Sequence, residues 1–204
     1  MATFRTVDEI AAHLEAGATG VRRVIGIVGA PGAGKSTIAE PLATAIGAAL
    51  LPMDGYHYPQ AVLRDLGRRE RMGAPDTFDV DAFVACLEAV RNSGDSVTAR
   101  GFDREIEEPV EGAITIPQEL RTVIVEGNYL LLSDGGWEQV APLLDETFAI
   151  EVAQPVRHER LVERHIRFGK SPAAARAWAL GPDERNAQTI SETLHRADHV
   201  IALD

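Results

Sequence analysis

Gly29-Ala30-Pro31-Gly32-Ala33-Gly34-Lys35-Ser36 is an unbroken G-x-x-x-x-G-K-S run, set between the apolar stretch Val24-Ile25-Gly26-Ile27-Val28 and a helix-forming stretch from Ser36. Strand, glycine-rich turn and helix in that order make a phosphate cradle. Backbone N–H groups from Gly29 and Ala30 through Gly32, Ala33 and Gly34 to Thr37 converge on the anion, and the helix N-terminus adds about half a positive charge. The glycines permit positive φ and carry no Cβ to block the phosphates. Lys35 reaches the outer phosphates, and the Ser36 hydroxyl is placed to enter the shell of a Mg²⁺ ion. A glycine-rich turn alone would explain the glycines but neither Lys35 nor Ser36. The stretch predicts Mg-ATP binding over residues 29–37.

Further short apolar runs at 48–53, 122–126, 147–152 and 198–203 read as buried strands, with amphipathic helical patterns between most of them. Alternating strands and helices predict right-handed crossovers and a parallel sheet covered on both faces, with ligands beyond the carboxyl ends of the strands. Asp79 reads as the cap of a helix burying Val80, Phe83, Leu87 and Val90, ended by Gly94. The stretch 97–116 breaks the pattern, because Gly101, Pro109 and Gly112 punctuate it, and is expected to be a hairpin or flap. Two short helix starts, Ser171-Pro172 and Pro182-Asp183-Glu184, follow residue 170.

The chain has 204 residues, 45% of them hydrophobic, and no break in composition, so a single domain over 1–204 is expected. A net charge of -11 argues against a nucleic-acid partner, which needs clustered excess Lys and Arg. The lone Cys86 can form neither an internal disulfide nor a zinc site, and its place on the apolar side of a helix reads as a buried thiol in a reducing compartment. At the N-terminus Thr6 and Glu9 form a capping-box pattern rather than a signal peptide. No apolar run approaches membrane-spanning length, and a cytoplasmic protein without membrane partners is expected.

Two acidic residues end expected strands: Asp54 after Leu50-Leu51-Pro52-Met53 and Glu126 after Thr122-Val123-Ile124-Val125. Both should face the nucleotide edge. One carboxylate there can hold Mg²⁺ and another can accept a hydroxyl proton from the attacking molecule, so Glu126 joins Ser36 as a metal residue and Asp54 is read as the base. Arg157, Arg160, Arg164 and Arg167 share one face of a helix expected over 155–168. Like charges so spaced repel by about 0.2–0.5 kcal/mol per pair, which favours an anionic ligand over a merely solvated face.

The segments GAPGAGKST, MDGYHY from Met53, GAPDTFD from Gly73 and VIVEGNYLL from Val123 resemble, in that order, the P-loop kinases related to uridine kinase, phosphoribulokinase and bacterial pantothenate kinase. GAPDTFD is most similar to pantothenate kinases and to bacterial proteins called fructose-transport or nucleoside kinases. The resemblance, covering about Val24 to Ile190, implies an α/β three-layer P-loop NTPase fold with a five-stranded parallel sheet and a helical lid, here about 157–180. It implies that Asp54 lies by the acceptor hydroxyl and Glu126 near the metal. It implies also that lid arginines, here Arg160 and Arg164, contact nucleotide phosphates, with Arg164 catalytic beside Lys35 and Asp54.

Tyr56 and His57 follow Asp54, and Phe102-Asp103-Arg104 lies where related kinases contact substrate; these residues and Asn186 are candidates for the acceptor pocket. The aromatic and histidine set that nucleoside kinases present to a pyrimidine has no obvious match. The expected activity is transfer of the γ-phosphate of ATP to a hydroxyl of a small metabolite, with pantothenate, a nucleoside or a sugar all open. The competing reading is a nucleotide-binding switch or regulatory NTPase without an acceptor. Against the switch, the guanine motif N/T-K-x-D is absent, since Lys35 and Lys170 are the only lysines. Oligomeric state has no signature in the sequence.

Overall fold

The computed structural model describes residues 1–18 and 20–203. Among these residues the strands are β1 (Thr3–Phe4), β2 (Arg23–Val28), β3 (Ala49–Pro52), β4 (Val97–Asp103), β5 (Glu108–Ile116), β6 (Thr122–Gly127), β7 (Glu146–Glu151) and β8 (His199–Ala202). The helices are α1 (Val7–Ala16), α2 (Lys35–Ala45), α3 (Gln60–Asp65), α4 (Val80–Asn92), α5 (Gln154–Arg167), α6 (Pro172–Leu180) and α7 (Pro182–Ser191). Six strands pair in the order β1-β8-β7-β2-β6-β3, every neighbouring pair parallel. The sheet is thus six-stranded rather than five-stranded. The extra strand, β1, is only two residues long and pairs through Thr3↔Val200 and Phe4↔Ile201, too short to leave an apolar period in the sequence.

Side chains alternate across the sheet, as the pleat requires. Along β2, Val24 and Val28 enter one core with Leu87 and Phe83 of α4, while Ile25 and Ile27 enter the other with Ile10 of α1 and Leu42 of α2. Strand β6 follows suit: Val123 and Val125 face the α4 side and Ile124 the α2 side. Glu126, two residues on, therefore emerges on the α2 side. Asp79 caps α4 by accepting from Ala82 N at 3.2 Å, and the helix stops at Asn92, just short of Gly94. Cys86 sits half-buried against the α4 core beside Tyr56, and burial pushes its thiol pKa up. Among the described residues no helix is long and apolar enough to cross a membrane.

Residues 97–116 form an antiparallel hairpin, β4–β5, with a register shift between Ala99 and Gly101. It rests on the 3₁₀ turn Met53–Tyr56, where a Cβ built on Gly55 would lie 2.5 Å from the Arg100 carbonyl oxygen. A backbone atom cannot yield as a flexible side chain can. Gly55→Ala should lift the hairpin off the turn and destabilise the protein by about 1–3 kcal/mol, measured by urea denaturation. Unchanged stability would show that the hairpin is free to slide over this turn.

Candidate active site

The carboxyl ends of β2, β3 and β6 open into a cleft of about 840 Å³ that runs from the glycine-rich loop to the hairpin tip and the arginine face of α5. At its floor, Gly32 and Gly34 adopt φ of 76° and 95°, and Gly34 leads directly into α2. Helix α5 lies so close over the loop that a Cβ on Gly32 would be 2.8 Å from the Arg157 carbonyl oxygen and 2.9 Å from Leu161 Cγ. Lys35 Nζ donates to the carbonyls of Gly29 at 2.9 Å and Ala30 at 3.3 Å, and to Asn128 Oδ1 at 2.5 Å. Burial pushes the Lys35 pKa down, while Glu126 and Asp54 support its charge.

Glu126 is buried, and its Oε1 accepts from the Ser36 hydroxyl at 3.3 Å. Burial, and then the charge of Asp54, push its pKa up against the opposing pull of Lys35 and Arg104. An oxygen pair made of a hydroxyl and a crowded carboxylate suits a hard cation such as Mg²⁺. Asp54 Oδ2 accepts from Arg104 Nη2 at 2.9 Å. Burial alone would raise the Asp54 pKa, but His57, Arg104, Lys35 and Arg164 outweigh it and hold the carboxyl below its ordinary range.

His57 donates from Nδ1 to the Asp54 carbonyl at 2.9 Å, and its ring lies between Phe78 and Phe102 at centroid distances of 3.9 and 5.0 Å. Burial lowers its pKa, against the opposing pull of Asp54. Backbone bonds from Tyr58 N to Thr77 O (2.9 Å) and from Asp79 N to Tyr56 O (2.7 Å) stitch the 53–58 turn to the 73–79 segment. That segment is pinned in turn by the Tyr129 hydroxyl on Gly73 O at 2.6 Å and Trp137 Nε1 on Pro75 O at 3.2 Å. The aromatic residues around the motifs thus hold this end of the cleft in place.

The cleft gathers Gly32, Gly34, Lys35, Ser36 and Thr37 from the loop and helix start. It also takes in Asp54, His57, Phe102, Arg104, Glu126 and Asn186, together with Arg160, Arg164 and Arg167. Gly29, Ala30 and Ala33 belong to the loop, Ala30 and Ala33 with buried side chains that leave only backbone to offer a ligand. Three expectations need correction. The Tyr56 side chain turns into the core against Phe83, ring centroids 5.0 Å apart, because the 3₁₀ turn presents Asp54 and Tyr56 on different sides. Asp103 closes the hairpin tip by accepting from Glu105 N at 2.8 Å and Ile106 N at 3.4 Å, a local turn bond. Arg157 leaves the cleft: its guanidinium is buried, donating to Pro31 O at 3.3 Å and to Glu184 Oε2 at 3.0 Å.

Asn128 and Arg69 line the cleft without having been anticipated. Asn128 had a signal, since it stands two residues after the strand-end carboxylate; Arg69, held by Glu107 Oε2 at 2.6 Å and Gln60 Oε1 at 3.2 Å, had none. The lid helices are joined through His165 Nε2, which donates to Asp183 Oδ2 at 2.7 Å, and Lys170 Nζ, 4.8 Å above the Trp178 ring.

No protein-family model matches the chain. It is 32% identical over 191 residues to the uncharacterized protein YggC of Escherichia coli K12, covering 89% of this chain and 78% of that one. An ATP-dependent kinase-like protein of Aspergillus versicolor is 35% identical over 148 residues, covering 68% and 86%. The crystal structure of a protein from Silicibacter sp. TM1040, provisionally named a fructose transport system kinase, superposes with a TM-score of 0.89 at 33% identity over 96% and 98% of the two chains.

Arg157 and Arg164 sit on one helix in different surroundings. Burial works against the charge of Glu184, but hydrogen bonds from His158, Arg157 and Gln154 outweigh it and keep its pKa low. Arg157→Ala would leave that charge to His158 and Gln154 and remove the bond to Pro31 O, and should cost about 1.5–3 kcal/mol in chemical denaturation. Arg164→Ala, whose side chain faces the cleft, should leave stability within about 0.5 kcal/mol. Equal losses from the two would mean that the stripe is structural throughout.

Proposed function

This chain belongs to the P-loop kinases related to uridine kinase, phosphoribulokinase and bacterial pantothenate kinase, and we propose that it transfers the γ-phosphate of Mg-ATP to a hydroxyl of a small polar metabolite of the pantothenate, nucleoside or sugar kind. The observation that carries this reading is the convergence of Lys35, Asp54 and Glu126 with Arg160, Arg164 and Arg167 of α5 on one cleft beyond the strand ends. Phosphoryl transfer is chiefly positioning and charge stabilisation, and this set supplies both.

Backbone N–H groups of residues 29–37 hold the β- and γ-phosphates. Lys35 exchanges its bonds to Gly29, Ala30 and Asn128 for phosphate oxygens, so the buried ammonium is already in place and held by weaker neutral acceptors. Ser36 and Glu126 would hold Mg²⁺, which when bound neutralises phosphate charge. Arg160 and Arg164 meet the charge that grows on the γ-phosphoryl oxygens. Asp54 orients the acceptor hydroxyl and takes its proton as the acceptor oxygen bonds to the γ-phosphorus and the bond to the β–γ bridging oxygen breaks, leaving ADP. Since Arg104 occupies Asp54 Oδ2, acceptor entry exchanges that ion pair for a hydroxyl. His57, Phe102, Arg104 and Asn186 frame the rest of the acceptor.

An ATP-consumption screen against hydroxyl metabolites, run with and without Mg²⁺, tests the reading and identifies the acceptor; ATP binding with no turnover on any of them would favour a nucleotide-dependent switch. Lys35→Ala should weaken ATP binding in calorimetry, and wild-type affinity in that variant would remove the loop as the phosphate site. Asp54→Asn should still bind ATP yet lose transfer by at least about a hundredfold. Near-normal transfer would move the base assignment to Glu126. Arg164→Ala should lower turnover more than ATP affinity.

A further inference from the structure

At the opposite edge of the sheet from the cleft, three side chains converge from three elements. His13 comes from the last turn of α1, Glu146 is the first residue of β7 and His199 the first of β8. Both imidazoles aim Nε2 at one carboxylate oxygen: His13 Nε2 stands 2.5 Å from Glu146 Oε1 and His199 Nε2 stands 2.7 Å from the same atom. Their rings are set by aromatic packing, with Phe4 at 5.1 Å from His13 and Phe148 at 5.0 Å from His199. The Glu146 and His199 side chains are 18% and 16% exposed and His13 is 38% exposed, so the cluster is walled in yet reachable from solvent past His13.

We propose that His13, Glu146 and His199 form a binding site for a divalent transition metal, with Zn²⁺ the ion their chemistry suits best. Two imidazole nitrogens and one carboxylate oxygen, their ligand atoms all within 4.8 Å of one another, are an N₂O set of borderline hardness, right for zinc and wrong for Mg²⁺ or Ca²⁺. Hydrogen bonding alone would be served by a separate acceptor for each histidine; directing both to one oxygen brings three ligands to a single point. The other oxygen, Oε2, has Arg23 Nη1 4.0 Å away, which leaves Oε1 as the ligand atom. The fourth position falls to water on the His13 side.

Metal entry requires a defined proton movement. In the metal-free arrangement each Nε2 carries the proton it donates to Glu146, and His199 Nδ1 accepts from Ala2 N at 3.2 Å. Zinc bonds to the Nε2 lone pairs, so each ring passes its Nε2 proton to solvent and takes one on Nδ1, remaining neutral. Ala2 then loses its acceptor. Bonds of about 2.0–2.2 Å to zinc in tetrahedral geometry set the ligand atoms roughly 3.3 Å apart, so the triad opens by well under 1 Å on each side. The exposed end of α1 supplies that movement. Clipping α1 to the starts of β7 and β8, the metal ties the sheet edge together and takes no part in the cleft, so the inference stands or falls separately from the kinase reading.

The test uses the full chain without a histidine tag, stripped by chelator and titrated with Zn²⁺ against a chromophoric competitor. One equivalent should bind tightly enough to raise Tm by at least about 4 °C in about 100 µM Zn²⁺. His13→Ala and Glu146→Gln should each weaken that binding at least about tenfold, while Glu126→Gln, which removes one of the cleft's carboxylates, should leave it unchanged. Long-range ¹H–¹⁵N spectra should show both histidines moving from the Nε2–H to the Nδ1–H tautomer on loading. His13 lies at a part-exposed helix end and Glu146→Gln keeps the side-chain shape, so folded variants are expected from both sites. Failure to bind an equivalent at about 100 µM, binding indifferent to both substitutions, or tautomers unmoved by zinc would each overturn the site.

Discussion

The pairing of β2 with β6 fixes everything else. Their parallel register runs from Arg23↔Thr122 to Val28↔Gly127, with β7 on the other side of β2 and β3 on the other side of β6. Because the strands stop at one level, the loop after β2, the turn after β3 and the end of β6 open onto the same edge. A slip of one residue would turn Glu126 to the opposite face and away from Ser36. Packing prevents it: Val123 and Val125 fill the core on the α4 side and Ile124 the core on the α2 side, and a slip would exchange the two sets, crowding one close-packed core and leaving gaps in the other.

That register brings like charges together, and the neighbours divide the labour between them. Asp54 and Glu126 share one cleft, and their surroundings push their pKa values in opposite directions. Asp54, ringed by His57, Arg104, Lys35 and Arg164, keeps its charge; Glu126, walled in and facing Asp54, is compensated only in part by Lys35, Arg104 and Ser36. The proposed division, Asp54 as the base and Glu126 as a metal residue, rests on that separation. Lys35 sits between the two roles, desolvated yet attracted by both carboxylates.

Two pieces of the chain close on this edge, and each does so over a glycine. Helix α5 crosses the loop at Gly32 and the β4–β5 hairpin crosses the turn at Gly55, in both places near enough that a Cβ would strike backbone. Gly32 therefore serves two ends: its positive φ shapes the cradle, and its bare α-carbon lets the lid helix rest upon it. Arg157 locks the same contact by bonding the loop carbonyl of Pro31, which explains why it is spent on structure while Arg160 and Arg164, one turn and two turns along, face the cleft.

Much of this was legible in the sequence, because the glycine-rich loop is a local object: spacing, residue type and flanking periodicity suffice to specify a turn that cradles phosphate. The same holds for the strand-end positions of Asp54 and Glu126, which follow from where apolar runs stop, and for the helical segments whose caps and prolines mark their starts. What no local pattern carried was the direction of individual side chains once the elements had packed. Tyr56 enters the core and Asp103 closes a turn because a 3₁₀ turn and a hairpin tip aim neighbouring residues to different sides. Arg157 is withdrawn from a stripe of like residues because Glu184, 27 positions away, happens to stand beside it. Likewise β1 exists only because β8 offers an unpaired edge, and His13, Glu146 and His199 meet across separations of 133 and 53 residues. Local spacing fixes backbone conformation through short-range sterics, whereas partners distant in sequence are chosen by the packing of the sheet, and only the folded chain brings them together.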